Sequence, residues 1–328
     1  MNSTEIDDIL TKSIRSVVET EDYAIPSGGR YTYIVTDRDR GATVRQIMKR
    51  RLGFSSRLTS KFKRGLGDVR RNGVQVRTFA EVIPGDVIEI VMPDEISHFE
   101  PQDIPLSTIF EDDDLIVINK QPGITVHPTR THPDGTLANA VMKHMLDRDD
   151  RYKIRFVNRL DMDTSGVLVV AKNAFCQDAI VKMMRRGEVK NYYCALVDGI
   201  IDDDEGTINA PIGRKQDDTV RRAVTDDGSP SVTHYRVLER FKAGYTFVAL
   251  RLETGRTHQI RVHMAHIGYP VTGDQLYGRE KDSPIARQAL HARRIVFKHP
   301  VSGETIDAEA PIPDDMAELL KKLRRREY

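Results

Sequence analysis

The stretch that decides the fold is Arg-Leu-Asp-Met-Asp-Thr-Ser-Gly at residues 159–166, which runs directly into Val-Leu-Val-Val-Ala at residues 167–171. The apolar run predicts a strand covered on both faces, and Thr-Ser-Gly before it is typical of a turn. Asp161 is therefore expected on a loop held by a rigid sheet, where catalytic residues are often found. An isolated Arg-Leu-Asp tripeptide is explained more simply by a surface ion pair, so the rest of the chain has to decide.

Length and composition predict a globular protein with two domains. The chain has 328 residues, of which 39% are hydrophobic and 30% are charged. No apolar run approaches the roughly 20 residues of a membrane helix, and residues 1–8 lack the basic and apolar parts of a signal peptide. The two cysteines, Cys176 and Cys194, have no C-x-x-C spacing, which predicts neither a disulfide framework nor a zinc site. A cytoplasmic location without a membrane segment is expected.

Positive charge is concentrated in one segment of the chain. Residues 38–77 contain 13 lysines and arginines against two acids, Asp39 and Asp68. Because the net charge of the whole chain is +1, this segment carries +11 and the remainder −10. A basic segment beside a mildly acidic body is typical of polyanion binding confined to one part of a chain. A solvated charged face without a partner is the alternative.

The pattern of this segment predicts a small α+β domain over residues 31–95. Strands are expected at residues 31–35, 74–77 and 87–91, and the turn Asn72-Gly73 separates two of the predicted elements. Helices are expected at residues 43–52 and from the cap Ser55-Ser56 to Arg64. Residues 1–30 are interpreted as a leader with a short helix over residues 6–19.

A proline-containing linker and a larger domain follow. Pro93, Pro101 and Pro105 stand among acidic residues and predict a linker at residues 96–106. The domain over residues 107–328 mixes strands with helices at residues 137–146, 174–187 and, at the C-terminal end, 314–328.

Five segments of the chain, in this order, resemble the motifs of the RluA-like pseudouridine synthases. Two departures from the family pattern are Asn158, where most members have a histidine, and Gln121, where a proline is common. Neither position is assigned to the chemistry. The five segments are residues 116–128, 159–166, 190–199, 252–263 and 290–300.

The resemblance implies a fold and a reaction. The implied fold is α+β, with a mixed, largely antiparallel sheet, flanking helices and a cleft across one face. The preceding basic domain resembles the αL RNA-binding module of a ribosomal protein. The implied reaction isomerises uridine in RNA to pseudouridine by breaking the N-glycosidic bond, rotating the uracil and rejoining it through carbon 5. Because this needs no redox change and no net hydrolysis, neither a cofactor nor a metal is expected.

The same resemblance implies roles for particular residues. Asp161 is implied as the catalytic carboxylate, with Arg261 as the partner that keeps it ionised and oriented. Tyr193, in the pattern Tyr-x-Ala, is implied to stack on the target base and to take part in proton transfer at carbon 5. Arg159 is expected to fill the space of the flipped base or hold a phosphate. Arg256 and His258 complete the expected substrate-binding set.

Other uses of these side chains are less consistent with the sequence. The spacing of His258, His263 and His266 is not typical of a zinc site. If residues 259–263 form a strand, these side chains would also point away from one another. Asp161 and Asp163, two apart in a turn, are poorly placed to act as a glycosidase pair on opposite sides of one substrate.

Large-subunit ribosomal RNA is the expected substrate, with transfer RNA as the alternative, and the protein is expected to be a monomer. Two other classes stay open from the sequence: a non-catalytic RNA-binding or ribosome-assembly factor built on the same body, and a nucleoside hydrolase that would release uracil. The expected RNA-binding residues of the basic domain are Arg45, Lys49, Arg50, Arg57, Lys61, Lys63 and Arg64.

Overall fold

The computed structural model describes residues 30–93, 95–215, 218, 220–278 and 283–325. Within these residues the chain forms an N-terminal α+β domain, residues 30–93, and a larger α+β body. Apart from Arg30, the leader interpreted over residues 1–30 and its helix at residues 6–19 lie outside the described residues.

The N-terminal domain packs two short helices against a four-stranded antiparallel sheet. Thr43 and Ser55 begin the helices, because their hydroxyls accept the backbone N–H groups of Gln46 and Leu58. Its elements are β1 (Arg30–Ile34), a 3-10 turn (Asp37–Asp39), α1 (Val44–Arg50), α2 (Ser56–Lys63), β2 (Asp68–Arg71), β3 (Val74–Gln75) and β4 (Val87–Val91). The sheet order is β1-β4-β2-β3.

The body is built on one mixed sheet of ten strands. Its elements are β5 (Ser107–Glu111), β6 (Leu115–Lys120), α3 (Leu137–Asp147), β7 (Arg155–Phe156), β8 (Ser165–Ala171), α4 (Ala174–Arg185), β9 (Lys190–Asp198), β10 (Glu205–Asn209), β11 (Ile212–Arg214), β12 (Arg222–Val224), β13 (Val232–Phe241), β14 (Tyr245–Leu252), α5 (Gln259–His266), β15 (Leu290–Lys298), β16 (Thr305–Glu309) and α6 (Asp314–Arg325). The main path is β10-β13-β14-β9-β15-β8-β6-β5, with β16 beside β15, β7 beside β8, and β11-β12 as a separate pair.

The strand predicted from residues 167–171 lies at the centre of this sheet. Every residue of β8 is buried, as the unbroken apolar run predicts. β8 pairs antiparallel with β6 and parallel with β15, and the β8–β15 pair is the one parallel ladder among the described strands. The predicted fold class, a mixed and largely antiparallel sheet with flanking helices, is confirmed.

The N-terminal domain is docked on the body by a shared hydrophobic core. The ring of Phe175, on α4, lies 4.8 Å from the ring of Tyr31 and 5.2 Å from the ring of Phe54, both from the N-terminal domain. The Tyr31 hydroxyl also donates to Oδ1 of Asn173, at the start of α4, over 3.3 Å. The two domains therefore share one buried cluster of side chains.

The segment predicted as a linker forms neither helix nor strand over residues 96–106, but it is fixed to the body. The Ser97 N–H donates to the carbonyl of Tyr152, and the Asn139 side chain donates to the carbonyl of Glu100 over 2.8 Å. Further along, the side chain of Gln121 donates to the carbonyl of Pro105. The segment consequently lies on the body surface and does not act as a free tether.

The structure also corrects two boundaries and the type of one element. The strand expected at residues 74–77 is limited to Val74–Gln75, and the helix expected at residues 174–187 ends at Arg185. Residues 259–263, considered above as a strand, are helical. All six residues from Gln259 to Met264 are buried. Their apolar residues therefore follow neither the helical nor the strand periodicity, and the sequence cannot distinguish a helix from a strand here. None of the described helices is long and apolar enough to cross a membrane.

Candidate active site

Asp161 lies on the tight loop that enters β8. The Thr164 N–H donates to the carbonyl of Asp161 and closes the turn. Gly166 follows with φ +110°, and a Cβ there would meet the backbone of Ala292 on β15. This position therefore requires glycine, because the parallel ladder brings two backbones into close approach. The central sheet fixes the position of the carboxylate.

A buried lysine supports the same loop from below. The Nζ atom of Lys120, at the end of β6, donates to three carbonyl oxygens, those of Gln121, Ile124 and Met162, at 2.8–3.0 Å. Burial lowers the pKa of Lys120 to about 7, while the carboxylates of Asp163 and Asp161 favour its charged form. Lys120 lies in a motif singled out in the sequence, but its role in holding the Asp161 loop becomes visible only in three dimensions.

Arg261 joins the Asp161 carboxylate to a second, fully buried carboxylate. Its Nη1 donates to Oδ2 of Asp161 over 2.9 Å, and its Nε and Nη2 donate to the two oxygens of Asp274 over 2.7 and 2.8 Å. The side chain of Asp274 is 0% exposed, that of Arg261 5% and that of Asp161 23%. The planar guanidinium therefore holds both acids, and only Asp161 reaches the solvent side.

The two carboxylates differ in how far their oxygens are already occupied. Besides Arg261, Asp274 accepts the backbone N–H groups of Leu276 and Tyr277. In the described part of the chain Asp161 accepts one side-chain hydrogen bond, from Arg261, at its Oδ2 atom. Burial disfavours the Arg261 charge, but hydrogen bonds and charge interactions with Asp274 and Asp161 raise the pKa of Arg261 above its usual value. Arg261 stays cationic, and Asp161 keeps an oxygen for a substrate.

His258 and Tyr277 close one side of this carboxylate–arginine cluster. The Tyr277 ring lies 5.2 Å from the Arg261 guanidinium carbon, and its hydroxyl accepts the backbone N–H of Arg222. The same hydroxyl lies 2.9 Å from Nδ1 of His258 and is free to donate to it, which leaves the imidazole proton on Nε2. Nε2 lies 3.8 Å from Oδ2 of Asp161. Burial lowers the pKa of His258, so a neutral imidazole faces the carboxylate.

Tyr193 lines the cavity above Asp161. It lies on β9 opposite Leu250 of β14 and Ala292 of β15, and it packs against the hydrophobic clusters on both sides. Burial, and then the charge of Asp161, raise the pKa of Tyr193 to about 12, so its hydroxyl is neutral. Tyr192 pairs with Arg294 in the next register position, and alternation along the strand directs it to the other face.

The cavity that holds Asp161 has a volume of about 690 Å³ and a strongly cationic lining. Arg159, Asp161, Tyr193, Arg256 and His258 all line it, while Arg261 lies below them in an adjoining pocket. The structure thus brings together the six residues that the sequence proposed for catalysis and substrate binding. The charged residues of its described lining are Arg159, Arg185, Arg186, Lys190, Arg251 and Arg256, opposed by Asp161 and Glu253.

Two residues of the cluster were missed from the sequence. Asp274 and Tyr277 lie in a loop between α5 and β15 that has no recognisable motif, and polar residues in such a loop are usually expected in solvent. Only the fold buries Asp274 completely against Arg261. Asp274 could have been sought from the sequence, because a buried arginine that also binds Asp161 calls for a further anionic partner nearby.

The predicted RNA-binding residues of the N-terminal domain do not all have free charges. Arg45, Arg50, Arg57, Lys63 and Arg64 are exposed. Lys49 is partly covered and donates to the Ser56 hydroxyl over 2.9 Å. Lys61 is 28% exposed and forms an ion pair with Glu95 over 2.8 Å, so its charge is already compensated within the protein.

Two of the three clustered histidines, His258 and His263, have hydrogen-bond partners within the protein. His263, on α5, contacts the Thr233 hydroxyl and the Ala210 carbonyl with its two ring nitrogens, both at 2.9 Å. His258 is held by Tyr277, as described. Over the described ranges, no group of three or more histidine, cysteine or acidic side chains is placed to hold a metal ion.

The sequence and the fold were compared with known proteins. Residues 114–266 match the family described as RNA pseudouridylate synthase. An uncharacterized RNA pseudouridine synthase of Bacillus subtilis, YjbO, is 42% identical over 272 residues, which cover 82% of this chain and 95% of the relative. The ribosomal large subunit pseudouridine synthase D of Xylella fastidiosa is 44% identical, over 82% of this chain and 84% of the relative.

A solved structure agrees with the sequence comparisons. Human RNA pseudouridylate synthase domain containing 1 superimposes with a TM-score of 0.52 at 27% sequence identity. The match covers 70% of this chain and 97% of the human chain.

Proposed function

Since this chain belongs to the RNA pseudouridylate synthase family and is an isomerase that acts on RNA, we propose that it converts uridine to pseudouridine in large-subunit ribosomal RNA, with Asp161 as its catalytic carboxylate. The observation that carries the assignment of Asp161 is its contact with Arg261. The arginine ties a partly exposed carboxylate to a fully buried one inside a cationic cavity. A polyanion is attracted to this cavity, and Arg261 holds the carboxylate in place inside it.

The reaction rearranges bonds within one nucleotide. The bond from N1 of uracil to C1′ of the ribose breaks and a bond from carbon 5 to C1′ forms, while carbon 5 loses its proton and N1 gains one, so that substrate and product are isomers. Asp161 acts on the nucleoside through its free oxygen, either by attack on the base or sugar or by removal of a sugar proton. Arg261 fixes the direction of this carboxylate through a hydrogen bond, while neutral His258 adds a nearby N–H donor.

Tyr193 is proposed to stack on the extruded uracil. Its position in the cavity wall and its hydrophobic backing suit a ring that holds a base by its face. Because the pKa of Tyr193 is raised to about 12, its hydroxyl acts as a neutral group that can relay a proton at carbon 5 by releasing its own. Arg159 and Arg256 are proposed to hold the phosphates on either side of the flipped nucleotide.

The substrate class is supported by the relatives named ribosomal large subunit pseudouridine synthase D. The N-terminal domain, with its exposed arginines and lysines, is proposed to add salt-dependent binding to folded RNA. Both cysteines are buried and free, which suits a reducing cytoplasm. We further propose that the protein acts as a monomer.

Primer extension across carbodiimide-treated RNA tests the function. Ribosomal and transfer RNAs are compared from cells with and without the gene, and from cells that carry the wild-type or the Asp161→Asn chain. We expect stops in large-subunit ribosomal RNA that require the gene and return with the wild type only. Stops restored by Asp161→Asn would contradict the catalytic assignment, and gene-dependent stops confined to transfer RNA would contradict the substrate. An unchanged pattern in all RNAs would favour a non-catalytic binding factor.

A further inference from the structure

Helix α4 connects the N-terminal domain to the active-site cavity. Its first turn is covered by that domain, because Phe175 packs against Tyr31 and Phe54. Its last turn and the loop after it line the cavity, through Met184, Arg185 and other residues. One rigid helix of 12 residues therefore contacts both parts of the molecule.

The loop between α1 and α2 contacts helix α4 about one turn before the residues of α4 that line the cavity. Lys182 of α4 donates to the backbone carbonyl of Gly53 in that loop over 2.8 Å. Arg185 and Arg186 follow Lys182 by three and four residues, a distance of roughly 6 Å along a helix axis. Arg57, on the first turn of α2, is exposed just beyond the same loop.

The position of the N-terminal domain is fixed by charge as well as by apolar packing. Glu95 accepts from Lys61 of α2 over 2.8 Å and from Arg155 of the body over 2.5 Å. Arg155 is 9% exposed, so this largely buried ion pair is a second attachment besides the aromatic contact. Because these two attachments would both have to break, a hinge motion between the domains is energetically disfavoured.

The cations at the end of α4 are open to solvent. Arg185 and Arg186 are both exposed, and the acidic neighbour of Arg186, Glu188, lies 3.8 Å away with half of its side chain in solvent. Such a pair contributes little to stability. Exposed arginines between a basic domain and a cationic cavity are placed to contact the phosphates of one RNA strand.

We propose that the RNA strand adjoining the target nucleotide leaves the cavity over Arg185 and Arg186 and continues onto the α1–α2 loop of the N-terminal domain. The docked domain then binds a segment of RNA at a fixed distance from the target uridine. The domain thereby contributes to the choice of target as well as to affinity. This inference rests on the proposed function and adds the path of the RNA.

The test compares two transcripts that contain the target uridine identified by primer extension. The short transcript is the hairpin that holds the uridine, and the long one adds its flanking helices. The paired variant Arg185→Ala/Arg186→Ala is measured in the full chain beside Lys321→Ala/Lys322→Ala, two adjacent exposed lysines near the end of α6. α6 packs on a different cluster of the body and does not line the cavity, which makes these lysines a matched control.

We expect the arginine variant to raise KM for the long transcript several-fold, and clearly more than KM for the short transcript. The slope of log KM against log salt should fall by about 1 for each phosphate contact that is lost. Arg57→Ala should show the same preference for the long transcript.

Two results would overturn the proposed path: equal losses on both transcripts, or a KM for the long transcript no different from that of the lysine control. Conversion of the short transcript by the wild-type chain shows independently that the proposed function holds. If the wild type converts neither transcript, the proposed function fails and the path fails with it.

Discussion

Two cavities formed by the described residues have a volume of about 690 Å³ each, and they differ in charge more than in size. The active-site cavity has six cationic and two acidic side chains in its described lining. The second cavity lies where the N-terminal domain meets the body and has four cationic and five acidic side chains. Its charged residues are Arg148, Arg151, Arg155 and Lys172, with Glu95, Glu111, Asp112, Asp113 and Asp150.

The second cavity neutralises its own charges. Lys172 lies 2.9 Å from Glu111 and 3.4 Å from Asp150, and Arg155 is paired with Glu95. In the active-site cavity the arginines outnumber the acids, and the carboxylate of Asp161 is held by an arginine from below while one oxygen faces the opening. Volume alone would not separate the two cavities. The excess of one charge and an available reactive group indicate which of them receives RNA.

The largest expected effect is that of Arg261→Ala, which breaks the cluster under the active-site cavity. Without the guanidinium, Asp161 loses its side-chain hydrogen-bond donor and the fully buried Asp274 loses its cationic partner, so the Asp161 carboxylate is no longer held in position. We expect kcat to fall by at least about 1000-fold, as when a group that stabilises the transition state is removed, while RNA binding in a filter assay is largely retained.

Arg155→Ala is the matched change in the second cavity, since Arg155 is likewise a buried arginine held by a carboxylate. It should lower the melting temperature but leave kcat of the folded protein within about 2-fold, because Arg155 contacts no cavity residue used in the reaction. Circular dichroism of both variants separates loss of fold from loss of chemistry. Similar kcat values for the two variants would remove the distinction between the cavities.

The second prediction concerns two neighbouring tyrosines. Tyr193→Phe removes the hydroxyl inside the active-site cavity and should lower kcat by about 10²-fold, the size expected for a proton-transfer group. Tyr192→Phe is the control, because that residue lies opposite Arg294 on the other face of β9. Single-turnover rates on the long transcript measure both. A larger loss for Tyr192→Phe would mean that the wrong member of the pair was assigned.

The sequence predicts those features of the fold and the site that are determined by residues close together in the chain. The cap at Ser55, the buried run of β8 and the apolar face of α6 are local patterns, and the structure confirms each. Asp161, Tyr193 and Arg261 come from a resemblance in five separate segments, and they come together because distant strands pair. The pairing of Arg261 with Asp161 spans 100 residues, which no local pattern records.

The remainder could not be predicted because it depends on complete burial or on contact between domains. α5 is buried along its first six residues, so its hydrophobic period is lost. The segment over residues 96–106 has the composition of a linker, but its carbonyls accept hydrogen bonds from the body. Asp274 is identified as a partner of Arg261 only after both side chains are buried together.

The third prediction tests the excess of positive charge. Arg159→Ala and Arg256→Ala each remove one cation from the rim of the active-site cavity and should raise KM for RNA by about 3- to 10-fold, with a lower salt slope. Arg148→Ala and Arg151→Ala remove cations from the second cavity, where acids outnumber them, and should leave KM unchanged. Measurements at two salt concentrations are sufficient. Equal effects at both cavities would place RNA across the second one as well.

The smallest effect distinguishes the two regions by their response to acid. His291, on β15, contacts the Ser165 hydroxyl with Nδ1 and the Ala310 carbonyl with Nε2, beneath the Asp161 loop. Burial lowers the pKa of His291 from 6.5 to about 4. The unfolded chain therefore binds a proton between pH 6.5 and 4 that the folded chain does not. The stability that neutral His291 provides is complete above pH 6.5 and is lost as the pH falls to 4, by at most about 1.4 kcal/mol per pH unit.

His291→Gln keeps a donor and an acceptor but cannot be protonated, so this part of the acid loss should disappear from urea unfolding curves measured at pH 7, 6 and 5. His299→Gln is the control next to the second cavity, because His299 has a carboxylate, that of Asp112, 3.1 Å from its Nε2 atom. His291, by contrast, has a hydroxyl and a carbonyl as its hydrogen-bond partners and gains little from a charge. If the free energy of unfolding of the wild type and of His291→Gln falls in parallel from pH 7 to 5, acid destabilises the protein through other groups and not through His291.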